Sequence, residues 1–167
     1  RAHYPMATRY FLEYDEIRQG NWGPDCEALG LDAGPLMARH VANTAAQLQD
    51  RVPGARTYTW NDMFDPHHNA VADYYMMRGD LAGSWEGLPE DTIIVNWHHT
   101  AESLQFLSDR GHRQLLGNIT GANAQATMDR AADIPGVMGL FFVNWGRNAA
   151  DWDIETAAQV FHDRFGQ

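Results

Sequence analysis

Along this chain short apolar runs alternate with longer stretches whose apolar residues recur at helical spacing. The first run, 9–14, reads Arg-Tyr-Phe-Leu-Glu-Tyr and predicts a strand. In 35–52, Leu36, Met37, His40, Val41, Ala45 and Leu48 are spaced to share one buried helix face, and Pro53-Gly54 ends it. The second strand is 56–60, followed by a helix over about 70–77. The third is the clearest: Ile93-Ile94-Val95 is β-branched and apolar without alternation, as in a strand covered on both faces. A helix over 101–110, a short strand over 113–117, a helix over 123–132, a strand over 137–143 and a helix over 153–165 complete the series. In the last helix Ala157, Ala158, Phe161 and Phe165 are expected inward. The loops between are marked by 19–25 and 83–89, both rich in turn residues.

Strands alternating with helices, with no hairpin signal, imply parallel pairing through right-handed crossovers. No strand end carries the glycine-rich phosphate loop of a doubly wound dinucleotide fold. Strand ends are instead tipped by acids and indoles: Asp15-Glu16, Trp60-Asn61-Asp62, Trp97-His98 and Asn144-Trp145. Functional side chains at the carboxyl ends of parallel strands are the habit of (β/α)8 barrels. The expected fold class is therefore α/β, a partial (β/α)8 TIM barrel of about five βα units in a single domain over 1–167. Five units do not close eight strands. Either further chain or a homodimer partner is expected to cover the open edges, since bare edges invite aggregation.

Composition narrows the partners. With net charge −10 and no basic run, the chain is a poor match to a phosphate backbone, so nucleic acid is not expected. An uncharged carbohydrate suits it better. Nothing approaches 18 consecutive apolar residues, so no membrane span is expected and the chain reads as soluble. No signal peptide is visible, but the chain opens on Arg1 and not Met, so the compartment stays open. The single cysteine, Cys26, forbids an internal disulfide and reads as structural.

The candidate chemistry sits at the strand tips. Asp15 and Glu16 suit glycoside hydrolysis, which needs an acid to protonate the leaving oxygen and a group to stabilise an oxocarbenium-like state. Glu16 would be the acid, its pKa raised by burial or by Asp15. Arg18 stands close enough in sequence to pair with either or to meet substrate. Trp60, Trp97 and Trp145 read either as core or as platforms on which sugar faces stack, and Trp85 in its loop extends that face. Asp62, Asp65, His67 and His68 form a polar cluster. A metal site is conceivable, because imidazole and carboxylate are common ligands, but their spacing matches no metal motif; they read rather as substrate contacts or as a turn in which Asp65 caps the next helix ahead of Pro66. His98 and His99 read as loop or helix-start residues or as substrate hydrogen-bonders. No metal or cofactor is expected. Ser84 lacks the second glycine of a nucleophile elbow, so a serine hydrolase is rejected.

The order Asp15-Glu16, Trp60-Asn61-Asp62, Trp97, Trp145 resembles the catalytic half of family-20 glycoside hydrolases, the β-N-acetylhexosaminidases, and their uncharacterised barrel relatives. The resemblance implies that the five strands are the fourth to eighth of the barrel. It implies Glu16 as general acid, Asp15 orienting a 2-acetamido group that acts as internal nucleophile, and Trp60, Trp97 and Trp145 walling the pocket. Where the family has His-x-Gly-Gly before the pair, this chain has Phe11-Leu12-Glu13-Tyr14. Where the family has a Tyr and an Asp after the seventh strand, it has Gly117-Asn118-Ile119-Thr120. Two other readings stand beside hydrolysis by Asp15 and Glu16: a pair made of Glu16 as acid with Asp62 as nucleophile, and a non-catalytic, self-associating half-barrel that keeps a carbohydrate-binding face or none.

Overall fold

The computed structural model describes residues 7–143, 145 and 153–166. The expected tip residue Asn144 lies outside them. Contacts divide the chain into two compact units, Arg1–Ile93 and Ile94–Gln167.

In the first unit, β1 (Arg9–Leu12) and β3 (Arg56–Trp60) pair in parallel, Arg9 opposite Arg56 and Leu12 opposite Thr59. The Thr59 hydroxyl adds a bond to the Leu12 carbonyl at 2.8 Å. Between them runs α2 (Ala33–Arg51), which buries Met37, Val41 and Ala45 as the helical spacing predicts, with Leu36 and Leu48 half-buried. His40 of the same predicted face is exposed. Its imidazole instead meets the edge of Tyr14, ring centres 5.6 Å apart. The helix lies hard against a 3-10 turn at Ser84–Gly87 and the residues before it. A Cβ on Gly34 would sit 1.9 Å from the Ala82 carbonyl oxygen, and one on Gly87 would sit 2.0 Å from that of Ala38.

Two loops hold more structure than their composition suggests. The 19–25 stretch carries a two-residue strand, β2 (Gln19–Gly20), then α1 (Pro24–Leu29). Proline at the first helical position and Asp25 and Glu27 in the first turn suit a helix start. The helix expected over 70–77 does not form. Asp73 and Tyr75 take positive φ, 57° and 47°, which a continuing α-helix does not permit. The following β4 (Met76–Met77) pairs in parallel with β2. The Met76 N–H bonds the Arg18 carbonyl and the Arg78 N–H bonds that of Gly20, so a partner remote in sequence overrides local helix propensity.

The second unit runs β5 (Ile93–Asn96, whose first residue closes the first unit), α3 (Ala101–Asp109), β6 (Gln114–Gly117), α4 (Gly121–Ala131), β7 (Val137–Phe141) and α5 (Ile154–Phe165). β5 pairs with β6 and β6 with β7, all parallel. Ile93, Ile94 and Val95 are buried on both faces, as expected. Leu104, Leu116, Ile119, Ala124, Met128, Ala131 and Ala157 form one core, and Val160, Phe161 and Phe165 of α5 pack on it. Ala158, expected inward, is exposed; Val160 takes that face. A buried polar network ties the strands to α3. The Asn96 amide donates to Ser103 Oγ at 2.8 Å and Gln114 Oε1 at 3.1 Å, and the Gln114 amide donates to the Leu104 carbonyl at 2.8 Å. Every member finds a partner, so the network fixes geometry at low cost.

The fold class is α/β: five parallel strands, β1, β3, β5, β6 and β7, alternate with helices in the incomplete (β/α) pattern of a partial TIM barrel. Within its unit, and among the described residues, β1 pairs only with β3 and β7 only with β6.

The close approach at Gly34 sets a test of sign. Helix propensity alone makes Gly→Ala in a helix interior stabilising by about 0.5–1 kcal/mol. Here Gly34→Ala is expected to destabilise by about 3 kcal/mol, because backbone must move to admit one methyl group. The midpoint of urea unfolding measures it.

Candidate functional site

The tips of β1 and β3 are joined by one carboxylate. Asp62 opens the 3-10 turn Asp62–Phe64 directly after β3 and is fully buried. Its Oδ2 accepts from the Glu16 backbone N–H at 2.7 Å and from the Asn69 amide at 3.1 Å. Glu16 itself sits at φ 42°, a left-handed conformation rare for a non-glycine residue. A charged acceptor on its N–H is the kind of strong bond that holds such a turn. The second oxygen of Asp62, Oδ1, is buried without a hydrogen-bond partner. Burial pushes the Asp62 carboxyl up to about 6 against the hydrogen bonds from the Glu16 N–H, the Asn69 amide and its own backbone, and the nearby charge of Asp15 adds a smaller push upward.

The predicted acid is placed differently. Glu16 is exposed, and its Oε2 forms an ion pair with Arg18 at 2.6 Å. The Arg18 guanidinium lies 5.1 Å from the centre of the Tyr75 ring, which is 66% exposed. Glu16 raises the Arg18 pKa, and Tyr75 and Tyr74 do so to a smaller extent. Asp15 is half-buried. The first unit thus brings Asp15, Glu16, Arg18 and Asp62 together.

Asp65 is buried in a neighbouring knot. Its Oδ2 accepts from Asn61 at 2.9 Å, and its Oδ1 accepts from the His67 backbone N–H at 2.9 Å. It caps, as expected, but it caps a turn and not a helix. Half-buried His68 faces the same Asn61 amide, Nδ1 at 3.5 Å. Trp60 is only 7% exposed and meets Phe11 edge-on at 5.1 Å between ring centres. Trp85 is half-buried in its 3-10 turn. Among the described residues no group of three or more His, Cys, Asp or Glu is arranged to hold a metal ion.

In the second unit the indoles of Trp97 and Trp145 lie together, ring centres 6.1 Å apart and tilted by 42°. Trp97 is half-buried and Trp145 is 49% exposed. The Trp145 Nε1–H donates to Asn118 Oδ1 at 2.9 Å, which fixes the ring's orientation. Asn118 is itself at φ 57°, with its carbonyl accepting from the Asn123 amide at 3.2 Å. His98 is half-buried beside Trp97 in sequence. The next residue, His99, at φ 37°, takes the Asn96 side-chain oxygen on its N–H at 2.7 Å. Burial first, and then the Arg130 charge, lower the His99 pKa to about 4.

Four residues around these clusters were missed by sequence reasoning: Asn69, Tyr74, Tyr75 and Asn118. The two tyrosines were hidden by the helix expected over them. Asn118 carries a usable signal, an asparagine just past a strand, which is a residue type enriched in the left-handed region.

No family model matches the chain, and no curated protein matches it. At the level of fold, the strand pattern resembles a partial glycoside-hydrolase-like barrel. No helix among the described residues is long and apolar enough to cross a membrane.

Two pH dependences follow. The folded chain holds Asp62 protonated to about 6, against 3.8 for a free carboxyl. Its contribution is whole below 3.8 and is lost as pH rises through about 6. Asp62→Asn, measured by urea unfolding, is therefore expected to gain stability over the wild type at pH 7.5, by on the order of 2–3 kcal/mol, and not at pH 4. His99 runs the other way. Its contribution is whole above 6.5 and is lost as pH falls toward about 4. The thermal midpoint of His99→Gln is expected to fall less steeply than that of the wild type between pH 6.5 and 4.5.

Proposed function

We propose that the chain is a non-catalytic, glycoside-hydrolase-like half-barrel that binds a neutral carbohydrate on an aromatic face and associates with itself through its open strand edges. The setting of Glu16 carries the non-catalytic reading. A general acid of this class needs an apolar pocket that keeps it protonated. Glu16 is exposed and committed to Arg18 at 2.6 Å. The carbohydrate reading is supported by Trp97 and Trp145. A half-exposed indole whose N–H is already fixed by Asn118 offers a pre-set apolar surface to a sugar face. The resemblance to β-N-acetylhexosaminidases makes N-acetylated sugars the first to try. Self-association is supported by β1 and β7, each with one pairing edge unused within its unit among the described residues.

A second reading keeps hydrolysis and is favoured by one observation. Asp62 is a buried carboxyl with a raised pKa, the character of a proton donor that Glu16 lacks. It is tested by turnover of chromogenic N-acetylglucosaminides: wild-type turnover abolished by Asp62→Asn would establish it and end the non-catalytic reading.

On the main reading, titration with N,N′-diacetylchitobiose is expected to quench or shift tryptophan fluorescence with saturation. Trp145→Ala should weaken binding by about tenfold, roughly 1.4 kcal/mol. Glu16→Gln should leave it within about twofold. Absence of saturable binding would end the carbohydrate reading. Scattering in solution is expected to give a mass at least twice 18.8 kDa, and a clean monomer would end self-association.

A further inference from the structure

Two adjoining cavities of the first unit take no part in the clusters at the strand tips. One, of about 300 Å³, lies beside the start of α2, and its wall includes Tyr14, Ile17, Leu36, Met37 and Met77. The other, of about 360 Å³, includes Glu27, Asp32 and Arg78. Asn21 and Cys26 belong to both walls.

The first cavity is apolar by the way its side chains are spent. The Tyr14 hydroxyl donates to Thr44 Oγ1 at 3.1 Å, so Tyr14 brings chiefly its ring. Ile17 and Leu36 are only half-buried, which leaves apolar surface to cover. Met37 and Met77 are buried, and flexible thioethers adapt well to aromatic rings. A cavity of roughly 150 Å³ lined by such residues holds a benzene ring. This one has room for a ring and a short tail.

The second cavity is charged, and its charges do not cancel. Arg78 is paired with Glu27 and lies over the Trp22 ring, 5.6 Å from its centre. Asp32 forms no ion pair among the described residues. It stands at the N-cap of α2, yet its side chain makes no capping bond there. A Cβ on Gly79 would lie 2.5 Å from Asp32 Oδ1, so the carboxylate rests against bare backbone. The positive end of α2 offsets part of its charge, but two carboxylates still outnumber one guanidinium. The wall common to both cavities is held from within. Asn21 sits at φ 63°, and its amide donates to the Leu31 carbonyl at 3.1 Å and to that of Arg78 at 2.9 Å.

We propose that the paired cavities bind a small amphipathic cation, an arylalkylamine, with its ring in the apolar cavity and its ammonium at Asp32 in the charged one. Charge complementarity selects the head group. An anionic head would meet Glu27 and Asp32, and a neutral one would leave Asp32 uncompensated. The site is independent of the carbohydrate reading and shares no residue with the Trp97–Trp145 pair or with Asp62 and its partners. Cys26, the single cysteine of the chain and half-buried, serves as its reporter.

The test is calorimetric titration of the full chain with phenethylamine, phenethyl alcohol and phenylacetate near neutral pH. The rate at which N-ethylmaleimide labels Cys26 is followed in parallel. The amine is expected to bind saturably and to slow labelling in step with occupancy. The alcohol is expected to bind about fivefold more weakly, the upper reach of an exposed ion pair. Phenylacetate should bind more weakly still, and added salt should narrow the lead of the amine. Asp32→Asn is the decisive variant, because asparagine serves as well as aspartate at an N-cap. Its thermal midpoint should hold while the amine falls to the affinity of the alcohol and the alcohol is unchanged. Should the midpoint drop, the ratio of amine to alcohol in the wild type decides alone. Equal binding of amine and alcohol by the wild type, or a stable Asp32→Asn that keeps the affinity of the amine, overturns the cation site. Saturable binding of the amine with undiminished labelling of Cys26 puts the ligand elsewhere and overturns it too. So does the absence of binding by the amine.

Discussion

One carboxylate organises the first unit. Asp62 leaves β3 buried, and one of its oxygens takes the backbone N–H of Glu16 beyond the end of β1 and the amide of Asn69 from the turn that follows. The first bond reaches 46 residues back to the end of β1, and the second closes the turn seven residues on. They also explain why Glu16 tolerates its left-handed backbone. A strained residue persists when something stronger holds it, and a hydrogen bond to a charged, desolvated acceptor is among the stronger bonds a fold can use. The arrangement has a cost. A carboxylate with one oxygen unsatisfied in an apolar setting resists ionisation, and that is the source of the raised Asp62 pKa.

The second unit solves the same problem with neutral groups. Asn96 stands at the end of β5, and amide and hydroxyl partners take up its bonds, including the N–H of His99, another left-handed residue. The two strand tips therefore differ in kind. A fully paired amide network holds no titrating member of its own, so in that loop only His99 answers to pH. A half-satisfied carboxylate fixes its loop while remaining open to protonation. Trp145 belongs to the first kind: its N–H is spent on Asn118, which leaves only the ring face for recognition.

How much of this was legible in the sequence divides along a physical line. Elements that carry their own signal were readable. Ile93-Ile94-Val95 announces a strand covered on both faces, and the spacing of Met37, Val41 and Ala45 announces the buried face of α2. Elements that exist because of a remote partner were not. Residues 70–77 look locally helical, yet they form turns and then β4, because Gln19–Gly20 offers a strand edge to Met76–Met77. The same limit applies to the site. That Asp15, Glu16 and Asp62 lie at strand tips follows from the alternation of elements. Which of them is buried, and which is spent on an arginine, depends on side-chain packing that spacing does not encode.

That distinction decides between acid and bystander. Asp15-Glu16 is the more conspicuous pair in the sequence, and chemical reasoning from residue type alone assigns the proton to Glu16. Two residues on, Arg18 supplies the counter-charge, and both side chains are about half exposed, at 52% and 43%. A surface pair of this kind contributes little stability, about 0–1 kcal/mol, so it is easily broken when something better arrives. Among the described residues Asp62 forms no ion pair, and its burial does not depend on which way a long side chain swings. The carboxyl held protonated toward neutral pH in the first unit is therefore the one at the end of β3, not the conspicuous pair at the end of β1.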